Sequence, residues 1–210
     1  MSQVATFRAH LAACPLIAIV RGLVPEEAES IGGALVEAGI RIIEVPLNSP
    51  RPFDSIERLA RAFGGHATIG AGTVLDPADV LTVRAAGGVL VVSPNTHLPV
   101  IETSVAGGMV AAPGFFTPTE AFAALGAGAH ALKLFPAEAA SPAVAKALLA
   151  VLPKGTDLII VGGVSPETMA PWRAAGATGF GLGSGLFTPG RSAADVGARA
   201  RAYVASLNAR

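Results

Sequence analysis

Short apolar runs, most of them unbroken Val, Ile and Leu, recur along the chain and alternate with Ala- and Glu-rich stretches of helical length. The runs are "LIAIV" (16–20), "RIIEVP" (41–46), "TIGAG" (68–72), "VLVVS" (89–93), "MVAAP" (109–113), "ALKLF" (131–135), "LIIVG" (158–162) and "FGLGS" (180–184). Each is followed by a turn and a helix-start signal: Pro25 with Glu26 and Glu27, Ser49-Pro50, Asp76-Pro77, Thr96-His97, Thr117-Pro118, Ser141-Pro142, Ser165-Pro166 and Ser192. A Ser, Thr or Asp cap accepts an otherwise orphaned amide, and a proline behind it has no amide to leave unsatisfied. Several of the helical stretches end on glycine, as in "EAGI", "AAGG", "VAGG" and "AAGA", where a left-handed residue closes the last turn.

Continuous apolar strands separated by helices imply a parallel sheet covered by those helices. Eight such units predict a (β/α)8 barrel behind a short N-terminal helix, with residues 1–210 forming a single domain. An open doubly wound sheet is the competing architecture, and "GLGSGL" (181–186) resembles its dinucleotide loop. That glycine pattern falls in the last unit, with no following strand to carry an acidic ribose partner, so the barrel is preferred.

Unusual residues interrupt the pattern at one end of nearly every strand. Arg21, Glu44, Thr73, Lys133, Gly162-Gly163 and Gly183-Ser184 all fall at the C-terminal ends of strands, the end where barrels of this kind carry their active sites. Side chains alternate along a strand, so Lys133 shares a face with Ala131 and Phe135, and Glu44 shares one with Ile42 and Pro46. The opposite faces, Leu132 with Leu134 and Ile43 with Val45, suit packing under helices. Lys133 and Glu44 therefore point into the barrel from its sixth and second strands, which lie opposite one another. A buried lysine must be paired or neutral, and a neutral one is a nucleophile. The pair reads either as a structural ion pair or as a catalytic one, and buried ion pairs contribute little as pure stability devices. The glycines after the seventh and eighth strands let backbone amides approach an anion, and Ser184 adds a hydroxyl donor.

Composition narrows the partners. Half of the chain is hydrophobic (51%), 14% is charged and the formal net charge is zero, which disfavours nucleic acid and anionic membrane as partners. "LAAC" (11–14) resembles a lipoprotein cleavage box, but "MSQVATFRAH" before it is too polar for the apolar segment such a site needs. No apolar run approaches the ~20 residues of a membrane span, and the single Cys14 cannot form an internal disulfide. A cytoplasmic protein is expected. His10, His66, His97 and His130 show no paired spacing, so no metal site is expected. His97 in "SPNTHLP" is read as a capping or surface residue near the mouth, and Lys146 and Lys154 as solvated.

The segments "IAIVRG", "EVPLNSP", "GAGTVLDP", "SPNTH", "PGFFTPTEA", "LKLFPA", "VGGVSPE" and "GLGSGL" together resemble the class I aldolases that cleave 2-keto-3-deoxy-6-phosphosugar acids, the KDPG/KHG aldolase family. The resemblance runs over about residues 14 to 206. It implies that Lys133 forms the Schiff base, that Glu44 is the acid/base, and that Arg21 and Thr73 hold the keto-acid end. It implies that Gly162, Gly163, Gly183 and Ser184 hold the phosphate, with Pro94 and Phe135 also contacting substrate. No cofactor is implied beyond the covalent imine, the substrate is a small phosphorylated keto-acid, and a homotrimer is expected. Asn48 stands where the phosphogluconate branch has Arg, and Val161 where it has Thr or Ser, so the chain looks like the phosphogalactonate-type branch. A phosphogluconate or 4-hydroxy-2-oxoglutarate aldolase, a phosphosugar isomerase or synthase, and a non-catalytic phosphosugar-binding barrel remain open. Phe115-Phe116 departs from the family pattern beside the mouth.

Overall fold

In a computed structural model, which describes residues 2–207, nine parallel strands and nine α-helices alternate except at the fifth and sixth strands, which follow one another directly. The strands are β1 (Leu16–Ile19), β2 (Ile42–Pro46), β3 (Thr68–Gly72), β4 (Leu90–Val92), β5 (Val110–Ala112), β6 (Gly114–Phe115), β7 (Leu132–Leu134), β8 (Leu158–Val161) and β9 (Gly179–Leu182). The helices are α1 (Gln3–Ala13), α2 (Ala28–Glu37), α3 (Pro52–Phe63), α4 (Pro77–Ala85), α5 (Leu98–Ala106), α6 (Pro118–Gly126), α7 (Pro142–Val151), α8 (Met169–Ala174) and α9 (Ala193–Ser206).

The strand order is β5-β4-β3-β2-β1-β9-β8-β7-β6, which is a barrel rather than a doubly wound sheet. Its seam falls at Pro113, the last residue of the fifth predicted strand, beyond which a short strand that was not predicted follows directly. Val110–Ala112 pairs with β4, whereas Gly114–Phe115 pairs with β7. Proline has no amide to give to a ladder, but its carbonyl accepts the Lys133 N–H at 2.9 Å, and the Gly114 N–H reaches Ser93 O at 3.0 Å. The seam is therefore bridged by hydrogen bonds from both sides.

The alternation of side chains sorts the apolar residues into two cores. Outside the strands, Ala18, Ile43, Val45, Leu132, Leu134, Ile160 and Phe180 pack under the helices. Inside, Ile17, Ile19, Ile42, Leu90, Val92, Val110, Ala112, Ala131, Ile159 and Val161 fill the barrel. Helix α1 closes the lower end by inserting Phe7 and Leu11, four residues apart on one face, into that inner core. Gly179 makes room for it, since a Cβ there would lie 2.9 Å from Leu11.

Four predicted helix starts are displaced, the first because Pro25–Glu27 forms a 3-10 turn and α2 begins only at Ala28. Helix α3 begins at Pro52 rather than at Ser49-Pro50, because Arg51 adopts a left-handed conformation (φ 43°) and turns the chain first. Helix α5 begins at Leu98, with His97 as the capping residue but without a side-chain cap bond. Helix α8 begins only at Met169, because Thr168 Oγ1 accepts the Ser165 N–H at 2.8 Å and holds 165–168 as a turn. Asp76, Thr117, Ser141 and Ser192 cap as predicted.

Candidate active site

Lys133 lies at the centre of β7 and Glu44 at the centre of β2, both on inward faces. Lys133 is 7% exposed and Glu44 2%. Both line one small cavity with Val92, Ala112, Ile159 and Val161. The space for the Glu44 carboxyl comes from β3, because a Cβ at Gly72 would overlap Glu44 Oε2 outright. A glycine within a strand has little to recommend it except close approach, and here it admits a carboxylate.

Burial raises the Glu44 carboxyl to about 7, against the opposite pull of Lys133 and Arg21. Burial also lowers Lys133 from the ordinary lysine range, with Glu44 opposing and Arg21 adding to the shift. For both groups desolvation outweighs mutual attraction. The ion pairs among the described residues are Arg8–Asp157, Arg51–Glu26, Arg51–Asp54 and Arg61–Glu29, and none includes Lys133 or Glu44. Glu44 Oε2 is buried without a hydrogen-bond partner. The two groups thus face one cavity without forming a closed ion pair. Lys133 Nζ also lies 4.8 Å from the Phe135 ring centre.

Above the pair, a cavity of about 360 Å³ opens to solvent and is lined by Arg21, Phe135, Val161, Gly162, Gly163, Gly183 and Ser184. It shares Ile19, Val161 and Gly181 with the small cavity below, so the two are adjacent. On one rim Arg21 donates to Asn48 Oδ1 and, at 3.4 Å, to Thr73 Oγ1. Thr73 holds a left-handed conformation (φ 55°), uncommon for a β-branched residue and often found at functional sites. On the other rim Gly162 (φ 116°) and Gly163 (φ 63°) take conformations open to glycine.

Eleven of the twelve residues expected at the site thus gather around one mouth. Pro94 is apart: it does not line either cavity, and its carbonyl packs where a Cβ of Gly114 would be. Sequence reasoning missed Glu138, whose side chain lies against Gly162 and Gly163 and lines the mouth. It also missed Pro189, which packs on Gly22 (φ 85°). The only sequence signal for Glu138 was its place a few residues past the Lys133 strand. His97 does not cap α5 through its side chain, and its Nδ1 is buried without a partner. Among the described residues no cluster of three His, Cys, Asp or Glu could hold a metal ion. Lys146 and Lys154 are exposed.

Comparison with known proteins follows the same lines. Residues 7–196 match the family model for KDPG and KHG aldolase. The chain is 51% identical over 195 residues to a probable 2-dehydro-3-deoxy-6-phosphogalactonate aldolase of Rhizobium meliloti (strain 1021), covering 93% of this chain and 92% of the relative. It is 48% identical over 190 residues to the 2-dehydro-3-deoxy-6-phosphogalactonate aldolase of Escherichia coli (strain K12), covering 90% and 93%. A solved structure described as native KDPGal superposes with a TM-score of 0.91 at 48% identity, over 92% of this chain and 94% of that one. A match spanning almost the entire barrel, with relatives at half identity, leaves one placement: the chain belongs to the KDPG and KHG aldolase family.

Proposed function

We propose that the chain is a class I aldolase that cleaves 2-dehydro-3-deoxy-6-phosphogalactonate to pyruvate and glyceraldehyde 3-phosphate, as a single barrel domain. The observation that carries the reading is the buried, unpaired Lys133 and Glu44 on one cavity, each shifted by burial toward its neutral form. Neutral Lys133 attacks the C2 ketone, and loss of water gives an iminium. Glu44 takes the C4 hydroxyl proton, the C3–C4 bond breaks, and its electron pair flows into the iminium to give an enamine. The C4 fragment leaves as the aldehyde. Glu44 returns a proton to C3, and hydrolysis of the imine frees pyruvate and Lys133. No step calls for a metal or an organic cofactor.

Arg21, held by Asn48 and Thr73, has the fork geometry to bind the substrate carboxylate in two places. The amides around Gly162, Gly163, Gly183 and Ser184 take the phosphate. The galactonate epimer is preferred because Asn48 and Val161 leave the rim without the second arginine and the hydroxyl of the gluconate branch, and because both close relatives bear that name. The protein works in the cytoplasm, in carbohydrate breakdown, as a homotrimer. Exposed Leu75, Leu81, Leu98, Phe116 and Phe122 on and beside α4, α5 and α6 offer apolar surface for that association. No helix among the described residues is long and apolar enough to cross a membrane.

Comparing cleavage of the two C4 epimers tests the substrate. A higher kcat/KM on the phosphogalactonate substrate is expected. Preference for the phosphogluconate epimer would reassign the branch, and cleavage of neither epimer nor of 4-hydroxy-2-oxoglutarate would remove the aldolase reading.

A further inference from the structure

The two glycine loops of the mouth are gripped from behind by three side chains that touch neither the mouth nor the reacting pair. Arg191 Nη1 donates to Ser184 O at 3.2 Å and to Leu186 O at 2.7 Å. Arg199 Nη1 donates to Gly185 O at 3.2 Å. Tyr203 donates its hydroxyl to Val164 O at 3.0 Å, in the other loop. Three consecutive carbonyls of one loop and one carbonyl of its neighbour are thus bound by a short C-terminal segment. Arg199 and Tyr203 are four residues apart on α9 and share a face, and Arg191 lies just ahead of that helix.

We propose that Arg191, Arg199 and Tyr203 are positioning residues that hold both loops in their anion-binding shape, so that phosphate affinity depends on them. The proposal rests on the reading that these loops bind the substrate phosphate. Its core is peptide geometry. A carbonyl and the following amide of a planar trans peptide point in opposite directions, so drawing the Ser184 carbonyl to Arg191 turns the Gly185 N–H away from Arg191. Ser184 and Gly185 line the mouth cavity, whereas Arg191 and Arg199 line a separate depression with Asp195, Ala198 and Ala202. The loop lies between the two, and away from Arg191 is toward the mouth. The Ser184 and Gly185 amides have no acceptor among the described residues, while the Leu186 and Phe187 amides both close on Gly183 O. The donors next to the mouth are thus free and those behind them are used. Charged donors on the carbonyls also polarise the peptides and strengthen the amides as donors. Tyr203, 4% exposed, fits because residue 185 is glycine: a Cβ there would lie 2.5 Å from the tyrosine oxygen.

If these side chains served only to fasten α9 to the barrel, their loss would weaken every function together. The test separates the two roles with Arg191→Ala, Arg199→Ala and their double variant, Tyr203→Phe, and Arg191→Lys as the conservative replacement. Three quantities are measured: binding of inorganic phosphate by calorimetry, KM and kcat for the phosphorylated substrate, and the pyruvate concentration that half-saturates borohydride capture. Phosphate affinity and KM should each weaken roughly tenfold per arginine, the scale of losing one charged hydrogen bond, and less in Tyr203→Phe. The Lys replacement should recover part of that loss, and kcat and pyruvate half-saturation should stay near wild type. Unchanged phosphate affinity and KM, or pyruvate capture weakening in parallel with them, overturns the proposal. A wild-type chain that binds no inorganic phosphate overturns it too. Failure of wild type to capture pyruvate sinks the aldolase reading instead, and the phosphate titration still decides the positioning role.

Discussion

The two ends of the barrel are made by the same strands and are opposite in character. At the lower end Ile42 of β2 and Ala131, just ahead of β7, share an apolar core with Phe7 and Leu11 of α1. The polar contact at that end is satisfied: His10 Nδ1 lies 2.9 Å from Thr68 Oγ1, and burial lowers the imidazole further from protonation. Two residues along, the inward positions become Glu44 on β2 and Lys133 on β7. Here a carboxyl oxygen is buried without a partner and Thr73 sits in a left-handed conformation. One step of the strand repeat separates a layer that serves stability from a layer that serves chemistry. Within the strands the backbone geometry is shared, so there the contrast lies in side chains and can be broken at either end.

The largest effect is expected from Lys133→Ala. Without the imine, turnover should fall by several orders of magnitude in a steady-state cleavage assay, while the circular dichroism spectrum and melting remain those of a folded barrel. Residual cleavage near the wild-type rate would remove Lys133 from the mechanism. Glu44→Gln should follow, lowering kcat by about 10²–10⁴, the usual worth of general acid–base catalysis. If Glu44 merely balanced the lysine charge, the Gln variant would instead keep its turnover and shift its pH optimum downward.

At the other end the effect is on stability. Phe7→Ala should lower unfolding free energy by about 3–5 kcal/mol, as for large buried aromatics elsewhere, with kcat per folded molecule unchanged in urea-titrated samples. A loss below about 1 kcal/mol, the size of a surface effect, would show that α1 is not a true plug.

What made this contrast legible in the sequence was the period of two. Ala131, Lys133 and Phe135 were assignable to the inner face against Leu132 and Leu134, and the structure sorts them so. Glycine termini and Asp, Ser and Thr caps placed most helices. The sixth strand was hidden because the apolar run "MVAAP" stops at Pro113, and only the ladder shows that Gly114–Phe115 beyond it pairs with a different neighbour. The α3 and α8 starts were hidden because Arg51 and Thr168 act through backbone turns that proline signals imitate. The need for Gly72 and the grip of Arg191, Arg199 and Tyr203 on the loops arise from contacts across more than one element, and no local pattern encodes them.

The smaller effect sharpens the comparison by showing what the mouth costs. The folded carboxyl of Glu44 is raised from 4.5 to about 7, so the folded state holds its proton to higher pH than the unfolded chain does. Below pH 4.5 both states are protonated and there is no penalty. As pH rises through this window the unfolded chain ionises first, stability falls, and the loss is complete above about 7. Each tenfold difference in proton affinity between the two states is worth ~1.4 kcal/mol, so Glu44→Gln should stabilise the protein at pH 8 by up to about 3 kcal/mol. At pH 4 it should change stability by almost nothing. Denaturation midpoints at the two pH values measure it, and equal changes at both would contradict a raised Glu44 carboxyl.

The chain contains three lysines, Lys133, Lys146 and Lys154, and only the first is buried. Reduction with borohydride in the presence of pyruvate, followed by peptide mapping, therefore tests the central claim directly. The account predicts one pyruvate per chain, on Lys133, and none on the same treatment of Lys133→Ala. An adduct on Lys146 or Lys154, or no adduct at all, would contradict it.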